Sequence, residues 1–321
     1  MTSPDDYAAL REGAAIGEIA PRGQIAVAGP DRLTFLHGLL TNDTASLAPG
    51  RGCYAAWLTP QGRMLCDLHV LESGDMVLLD VPTAETGAIA ARLEQFHFSE
   101  DVEISVLTSL TAIWLHGPAA PRTIGESYDA WMQYQNARVE LAGIPVVIAR
   151  IDQLAVPGFV IYADNQHRDE VTAALSASGA VRATPASLEA ARLEAAYPLF
   201  GIDMTSDTIP LEAGIEDRAV SMTKGCYVGQ EVIIRVLHRG HGRVARKLVL
   251  LQLAGDAPPH NAKAFSGDRE VGFVTSAARS PRLGTLALAY LHRDFVEPGT
   301  AVDVQVGDVR LRAHVTRPSA F

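Results

Sequence analysis

The stretch that constrains the fold most is residues 224–231, with the sequence KGCYVGQE, hereafter the octet. It places a cation, a thiol, a carboxylate and two glycines in a single turn of chain. Gly225 and Gly229 can take positive φ and allow another backbone or a ligand to approach closely. A neighbouring ammonium such as that of Lys224 favours the thiolate form of a cysteine. We therefore predict a tight bend in which Cys226 serves as a nucleophile or a metal ligand.

The region around the octet is basic. Residues 224–247 hold six lysines and arginines against the single acid Glu231, in a chain whose formal net charge is −10. A local cationic segment in an acidic chain indicates an anionic small ligand or an acidic patch on a partner, with a solvated basic face as the alternative. The acidic balance disfavours general nucleic-acid binding, and only a local RNA contact by this segment stays open.

Composition places the chain among globular proteins. Hydrophobic residues make up 48% and charged residues 20% of the sequence, and a length of 321 residues predicts two or three domains. The first residues are acidic and lack the apolar segment of a signal peptide, and no run of about 18 apolar residues occurs. We expect a cytoplasmic protein with no membrane partner.

The three cysteines, Cys53, Cys66 and Cys226, include no CxxC pair. Their odd number and spacing argue against a disulfide framework and against a self-contained zinc or iron–sulfur site, so no tightly bound metal is predicted. His238 and His241 have a spacing compatible with metal binding, but no thiol or carboxylate is close to them in sequence. Cys53 and Cys66 lie in apolar runs, where core packing is the expected role.

Helices and strands are mixed through the first two thirds of the chain. Apolar spacing predicts helices at residues 33–40, 83–96 and 166–178. A hairpin is predicted between strands at residues 53–58 and 63–72, because Pro and Gly occupy the turn at residues 59–62. Further strands are predicted at residues 75–80, 102–106, 112–115, 145–151 and 159–162. Without βαβ alternation, this pattern favours an α+β fold over a doubly wound sheet.

Thr184 and Pro185 predict the start of another helix, as N-cap and first helical residue, which should continue to about Ala196. Arg192 and Glu194 lie two positions apart, roughly 200° around that helix, so both cannot point into one pocket. One of them is expected to form a structural ion pair. After residue 247, five or six short apolar runs separated by Gly, Pro and Asp predict a small antiparallel β-barrel.

The octet resembles the KGCYxGQE signature of the YgfZ-type folate-binding proteins. That family is a branch of the superfamily that includes the glycine cleavage T-protein and related mitochondrial iron–sulfur assembly factors. The likeness extends over most of the chain. It includes residues 35–43 (FLHGLLTND, similar to the family's TND segment), 58–63 (LTPQGR), 192–195 (RLEA), 198–201 (PLFG), 209–212 (IPLE) and 271–276 (VGFVTS).

The resemblance implies an aminomethyltransferase-like ring of domains around a central tetrahydrofolate pocket. Its parts would be an N-terminal α+β folate-binding domain (1–110), a ferredoxin-like unit (111–185), a return segment with the octet (186–243) and a C-terminal antiparallel β-barrel (244–321). It further implies that Cys226 is the functional thiol, beside Lys224. The residues expected to contact folate are Glu194, Asp67, Tyr227, Gln230, Glu231, Arg235 and Arg239.

Several of these residues also have a structural interpretation. Gln230 and Glu231 could cap the helix that follows the octet, since acids near a helix N-terminus are stabilised by its dipole. Arg235 and Arg239, four apart on one helix face, could clamp a carboxylate such as the glutamate tail of folate, or simply face solvent. Glu194 has the helix position of an ordinary surface acid.

One departure from the family bears on activity. Where T-proteins carry two adjacent acids after the hairpin, this chain has Cys66 and Asp67. A cysteine cannot hold the charge or the proton-transfer role of a carboxylate at neutral pH, which argues against a classical aminomethyltransferase. The favoured hypothesis is a folate-dependent accessory factor in iron–sulfur cluster assembly or repair, with iron–sulfur proteins or their assembly machinery as partners. The alternatives are a tetrahydrofolate-dependent aminomethyltransferase and a binding protein linked to tRNA modification.

Overall fold

The computed structural model describes residues 4–238 and 243–318. The α-helices are α1 (Pro4–Glu12), α2 (Arg32–Leu39), α3 (Thr86–Gln95), α4 (Ala120–Ile124), α5 (Arg168–Ala177), α6 (Pro185–Glu194), α7 (Pro210–Ala213), α8 (Glu216–Ala219) and α9 (Gln230–His238). Short 3₁₀ turns lie at Thr83–Glu85, Glu126–Tyr128, Asn165–His167 and Arg293–Phe295. In this described part of the chain, no helix is both long enough and apolar enough to cross a membrane.

Strands occur throughout the chain and form three sheets. They are β1 (Ala15–Ile16), β2 (Arg22–Ala28), β3 (Arg51–Leu58), β4 (Met64–Glu72), β5 (Met76–Pro82), β6 (Glu103–Val106), β7 (Leu110–His116), β8 (Asn136–Leu141), β9 (Ile144–Arg150), β10 (Gly158–Asp164), β11 (Val181–Arg182), β12 (Arg246–Leu253), β13 (Lys263–Ser266), β14 (Arg269–Ser280), β15 (Gly284–His292), β16 (Ala301–Val306) and β17 (Val309–Thr316).

The first sheet is antiparallel with strand order β3-β4-β5-β2-β6. Its β3–β4 hairpin confirms the turn predicted from Pro and Gly, and the backbone N–H of Thr59 donates to the carbonyl of Arg63 at 2.8 Å. Helices α2 and α3 cover one face, where Leu36, Trp57 and Leu93 belong to one apolar cluster. The apolar side chains of both helices face this cluster, so their spacing predicted the two helices correctly.

The second sheet has the order β11-β1-β7-β10-β9-β8, with only the β1–β11 pair parallel. Period-two alternation divides its side chains between two cores. Ile113 and Leu115 pack with α4 and α5, whereas Trp114 between them packs with Leu71 and Leu78 of the first sheet. The two sheets therefore stack face to face, with helices on their outer sides.

The carboxyl-terminal strands close into the predicted barrel, in the order β12-β15-β14-β13-β16-β17 with β17 returning to β12. Helix α6 joins this barrel to the rest of the chain, since Leu193 packs with Leu250, Leu286 and Leu288. The predicted N-cap is confirmed, because the Thr184 hydroxyl accepts a hydrogen bond from the Ser187 N–H.

The end of α6 differs from the sequence expectation. The helix ends at Glu194, two residues early, because Ala196 takes a left-handed φ of 49°. A structural ion pair was expected for Arg192 or Glu194, and both residues form one. Arg192 pairs with Glu189 and with Asp203 at 2.6 and 2.7 Å, and Glu194 pairs with an arginine of α1.

Candidate functional site

The octet packs against the hairpin turn between β3 and β4. Gly229 has a φ of 83°, and a Cβ there would lie 2.4 Å from the carbonyl oxygen of Thr59. A Cβ built on Gly62, in the turn itself, would lie 2.8 Å from the Cβ of Val232. Positive φ and close backbone approach are thus confirmed at Gly229. They are absent at Gly225, whose φ is not positive and whose added Cβ would make only an ordinary 3.8 Å contact with a histidine ring.

Lys224 fixes the start of the octet to the end of helix α2. Its ammonium donates hydrogen bonds to the carbonyl oxygens of His37, Leu40 and Asn42 at 2.5, 2.6 and 3.0 Å. The last carbonyls of a helix lack intrahelical partners, so a lysine at this position satisfies them and complements the helix dipole. An ammonium has three donors, and all three are used. The cation therefore positions the loop, and the hypothesis that its charge activates Cys226 stays a prediction.

The segment TND at residues 41–43 holds the same junction together. The Thr41 hydroxyl donates to the carbonyl of Ala219 at 2.6 Å and accepts from the N–H of Ala56 at 2.8 Å. The Asn42 amide donates to the carbonyls of Tyr54 and Arg218 at 2.8 and 3.1 Å. Two motifs that are far apart in sequence therefore meet around one loop.

Cys226 lies at the surface, in a groove of about 570 Å³ along the first turns of α9. The other residues that line the groove are Gln230, Glu231, Val232, Ile234 and Arg235. Four of the residues predicted for the site, Cys226, Gln230, Glu231 and Arg235, are thus brought together. The thiol is accessible, and its loop is held by the hydrogen bonds of Lys224. The apolar side chains of Val232 and Ile234 and the cation of Arg235 line the same groove.

Two octet residues have structural roles beneath this groove. Tyr227 is buried, which raises the pKa of its hydroxyl to about 12, and the Lys224 ammonium lies 5.0 Å from its ring centroid. The Gln230 side chain accepts a hydrogen bond from the Tyr227 N–H at 3.3 Å, which ties the first residue of α9 to the preceding turn. Helix capping by Gln230 and Glu231 stays a prediction. Arg239, the second half of the predicted carboxylate clamp, and His241 lie outside the described residues.

The remaining cysteines differ from Cys226 in exposure. Cys66 is fully buried, and burial raises the pKa of its thiol far above the ordinary range. Cys53 is half-buried and burial raises its pKa to about 12, although the nearby Lys224 charge acts in the opposite direction. Both thiols are therefore protonated at neutral pH, in keeping with the expected packing role. Cys226 is the exposed member of the three.

A second polar site, which sequence reasoning located only through Asp67, lies between the two stacked sheets. This central polar cluster consists of Arg22, Tyr54, Asp67, His69, Asp80 and Tyr162. Asp67 accepts a hydrogen bond from the Tyr54 hydroxyl at 2.9 Å and lies 3.4 Å from Arg22. Arg22 also donates to Asp80, which in turn contacts His69 at 3.1 Å and the Tyr162 hydroxyl at 2.9 Å.

Charge balance in the central polar cluster follows from these contacts. Burial acts to raise the pKa of Asp80, but Arg22 and His69 outweigh it and the net shift is downward. Burial and the Arg22 charge both lower the pKa of His69, so the imidazole is neutral. Its Nε2 atom has no hydrogen-bond partner in the described part of the chain. Asp67, His69 and Asp80 could have been recognised as polar residues that alternate onto one face of otherwise apolar strands.

Arg218 extends the cluster toward solvent. Its guanidinium lies 4.8 Å from the ring centroid of Tyr54 and 4.5 Å from that of Tyr197. The Tyr197 hydroxyl accepts a hydrogen bond from the Gln153 amide at 3.5 Å. The side chains come from the first sheet, the loop after β9 and the segment after α6, so the site lies where three parts of the fold meet. No sequence motif marked Arg218 or Tyr197.

Two family models match the chain. The GCVT N-terminal domain matches residues 2–224, and the glycine cleavage T-protein C-terminal barrel domain matches residues 246–321. The chain belongs to the glycine cleavage T-protein family. That coarse assignment, made above from the octet and its companion motifs, is confirmed.

Similar proteins include three named aminomethyltransferase, from Geobacillus kaustophilus, Geobacillus thermodenitrificans and Bacillus subtilis. They are 31%, 30% and 28% identical over 97%, 99% and 97% of this chain, and the alignments cover 88%, 89% and 89% of their own lengths. The crystal structure of glycine cleavage system aminomethyltransferase T from Bartonella henselae matches with a TM-score of 0.88, over 99% of this chain and 90% of that chain, at 22% identity. The expected aminomethyltransferase-like α+β fold with a C-terminal barrel is confirmed.

In this T-protein family chain, Glu194 lies at the joint between the matched N-terminal and barrel domains. It is fully buried, its Oε1 accepts hydrogen bonds from the hydroxyls of Tyr7 and Ser280, and its Oε2 pairs with Arg11 at 2.6 Å and Arg282 at 3.6 Å. Both carboxylate oxygens have protein partners, so Glu194 is not the surface acid of the helix interpretation. Its predicted contact with the pterin stays a prediction.

The predicted site residues therefore occupy three places. Cys226 and its neighbours line the surface groove, Asp67 lies in the central polar cluster, and Glu194 lies in the joint between domains. Within the described residues, no group of three or more His, Cys, Asp or Glu side chains is placed to hold a metal ion.

Proposed function

We propose that this protein is a tetrahydrofolate-binding accessory factor of the YgfZ-type branch, which supports the assembly or repair of iron–sulfur clusters through the Cys226 thiol. The observation that carries the proposal is the contrast among the three cysteines. Cys226 is exposed in a groove on a braced loop, whereas Cys66 is sealed in the core and Cys53 is half-buried with a raised pKa. A thiol that acts on iron or sulfur in a client protein must be accessible and held in position.

The central polar cluster supports folate binding. In the described part of the chain, the buried atoms His69 Nε2, Gln153 Oε1 and Trp114 Nε1 have no hydrogen-bond partner. Buried polar atoms are nearly always paired, so unpaired donors and acceptors at a junction of three segments fit a ligand with a polar edge. A reduced pterin has such an edge and a flat face suited to the surrounding tyrosine rings. These residues would bind and orient the cofactor.

The pair Cys66 and Asp67 favours an accessory role over aminomethyl transfer. Cys66 is neutral because burial raises its pKa, so it cannot replace the carboxylate that T-proteins carry at this position. Asp67 is 2% exposed and accepts hydrogen bonds from Tyr54 and Arg22, which leaves it little freedom to act as a general base.

Aminomethyl transfer remains the second candidate, because the relatives reported above are named aminomethyltransferase and align over nearly the whole chain. It is tested by measuring methylenetetrahydrofolate formation from a lipoyl-linked aminomethyl donor. Turnover that disappears in Asp67→Asn and persists in Cys226→Ala would replace the first proposal with this one.

The first proposal is tested by complementation in a strain that lacks this gene. Cys226→Ala should abolish support of iron–sulfur enzymes while calorimetric affinity for tetrahydrofolate stays within about two-fold of wild type, since the groove and the cluster are separate. Cys53→Ala makes the same chemical change at a half-buried cysteine and should complement normally. Full complementation by Cys226→Ala would contradict the role of the thiol, and no tetrahydrofolate binding by wild type would contradict the role of folate.

A further inference from the structure

Arg218 differs from the buried arginines of this protein in its partners. Arg22, Arg32 and Arg192 each form an ion pair with one or two carboxylates. Within residues 4–238 and 243–318, the Arg218 guanidinium forms no ion pair within 4.0 Å of a carboxylate and donates no hydrogen bond. It lies over the faces of two tyrosines, and the Asp67 charge acts on it only from a longer distance. Removing a charge from water is costly unless it is paired, so this arginine is poised for a partner that is not part of the described chain.

The stacking determines how a partner can approach. With the Tyr54 ring at 4.8 Å and the Tyr197 ring at 4.5 Å, both are within cation–π range of the guanidinium. A guanidinium that packs on ring faces keeps its N–H donors at its edge. That planar fork matches a carboxylate with two parallel hydrogen bonds. Arg218 is half-buried, so solvent and a ligand can reach it.

A residue with an unpaired acceptor contacts the hydroxyl of Tyr197. The Gln153 amide donates to the Tyr197 hydroxyl at 3.5 Å, while its carbonyl oxygen Oε1 is buried without a partner among the described residues. A cationic fork and an unpaired acceptor, on residues that both contact Tyr197, fit a ligand that has a carboxylate and an N–H.

We propose that Arg218 binds the carboxylate of an α-amino-acid unit, free or N-acylated. Two sources have this chemistry, the glutamate tail of a folate and a free amino acid. The folate source rests on the function proposed above, whereas the amino-acid source does not. In the folate case, the tail would lie at Arg218 and not at Arg235 and Arg239 as the helix spacing suggested.

The experiment compares wild type with Arg218→Met and Arg218→Lys by isothermal titration calorimetry. Met keeps an apolar stem between the rings but loses the charge, and Lys keeps the charge but loses the fork. Arg279→Met, at an exposed position on β14, is the matched control. The ligands are tetrahydrofolate, tetrahydropteroate (which lacks glutamate), glutamate and glycine. Thermal unfolding of each variant shows that the fold is intact, and Arg218→Lys keeps the test decisive if Arg218→Met unfolds.

If Arg218 binds the folate tail, Arg218→Met weakens tetrahydrofolate at least about ten-fold, as expected for loss of a charged hydrogen bond, and leaves tetrahydropteroate unchanged. If the source is a free amino acid, the same variant loses glutamate or glycine binding and keeps both pterins. The proposal is overturned if Arg218→Met matches wild type for every ligand, or weakens tetrahydrofolate and tetrahydropteroate equally. If wild type binds neither tetrahydrofolate nor tetrahydropteroate, the proposed function fails. The Arg218 proposal then holds if wild type binds glutamate or glycine and Arg218→Met does not, and it fails otherwise.

Discussion

The Lys224 ammonium lies 2.5 Å from the backbone carbonyl of His37, a residue 187 positions earlier in the chain. With two further carbonyls, this bond joins the octet to the end of α2 and holds the loop that carries the exposed thiol. Lys224 thus fixes the position of the loop that carries the thiol through bonds that do not involve the sulfur.

Replacing Lys224 with Met should therefore cost stability. Loss of three hydrogen bonds to buried or half-buried carbonyls predicts a decrease of roughly 1–3 kcal/mol in the free energy of unfolding, measured by chemical denaturation. Lys263→Met is the control, since the exposed Lys263–Glu270 pair should contribute about 0–1 kcal/mol. Unchanged stability of Lys224→Met would contradict the role of these bonds, and slower alkylation of Cys226 in this variant would support activation of the thiol by the lysine charge.

The half-buried Lys224 ammonium also predicts a pH dependence. Burial lowers the pKa of Lys224 from its ordinary value of 10.5 to about 8 in the folded protein, against opposing contributions from Asp43 and Cys53. Between these two pH values the unfolded chain binds more protons than the folded chain, so the stability contributed by Lys224 rises with pH across this window. The measurement is the difference in unfolding free energy between wild type and Lys224→Met at pH 7, 8, 9 and 10. A difference that falls as pH rises would show that the folded pKa is not depressed.

The three thiols should react in a defined order. Under native conditions at pH 8, iodoacetamide should alkylate Cys226 first and Cys53 more slowly, because burial raises the pKa of Cys53 to about 12. Cys66 should react only after unfolding, since it is fully buried. Mass spectrometry of peptides from a time course gives the order, and the same course in denaturant, where all three should react alike, is the control. Native labelling of Cys66 at the rate of Cys226 would contradict the packing of the first sheet.

The two glycines of the octet provide a matched pair of substitutions. Gly229→Ala places a side chain at a φ of 83° and 2.4 Å from the Thr59 carbonyl, so it should cost roughly 1–3 kcal/mol and disturb the hairpin contact. Gly225→Ala has ordinary backbone and a 3.8 Å contact, so its effect should stay within about 0.5 kcal/mol. Denaturation of both variants tests this, and equal effects would mean that the octet does not pack on the turn in solution.

Sequence patterns predicted many of the helices, strands and turns, because each of these elements depends on interactions between residues close together in the chain. The Thr184 cap, the β3–β4 hairpin and the barrel strands all depend on residues within a few positions of one another. The face-to-face stacking of the two sheets escaped prediction, because Trp114 is distinguished from Ile113 and Leu115 only by the face on which it lies.

The site was predictable only where its residues are contiguous. Cys226, Gln230, Glu231 and Arg235 follow one another in the octet and the next helix turn, so their meeting in one groove follows from the sequence. The partners of Lys224 and Glu194 lie more than 80 residues away in the chain, and nothing in the spacing of a motif specifies them. The charge of Lys224 suggested activation of the thiol, and the family resemblance suggested a ligand contact for Glu194. The tertiary contacts of both side chains add a structural role that neither signal specifies.

A substitution at Glu194 distinguishes a structural role of this residue from a role in ligand binding. Its carboxylate accepts hydrogen bonds from Tyr7 and Ser280 and pairs with Arg11 at 2.6 Å, in a fully buried joint between the N-terminal part of the fold and the barrel. Glu194→Gln should therefore cost about 3 kcal/mol, because it breaks the buried Arg11–Glu194 ion pair, while tetrahydrofolate affinity of the folded variant stays unchanged. Denaturation and calorimetric titration on the same preparation measure both quantities, with the exposed Glu170→Gln on α5 as control. A variant that keeps full stability but loses folate affinity would show that Glu194 contacts the pterin. A carboxylate that only stabilises the contact between the two domains would not change binding without also changing stability.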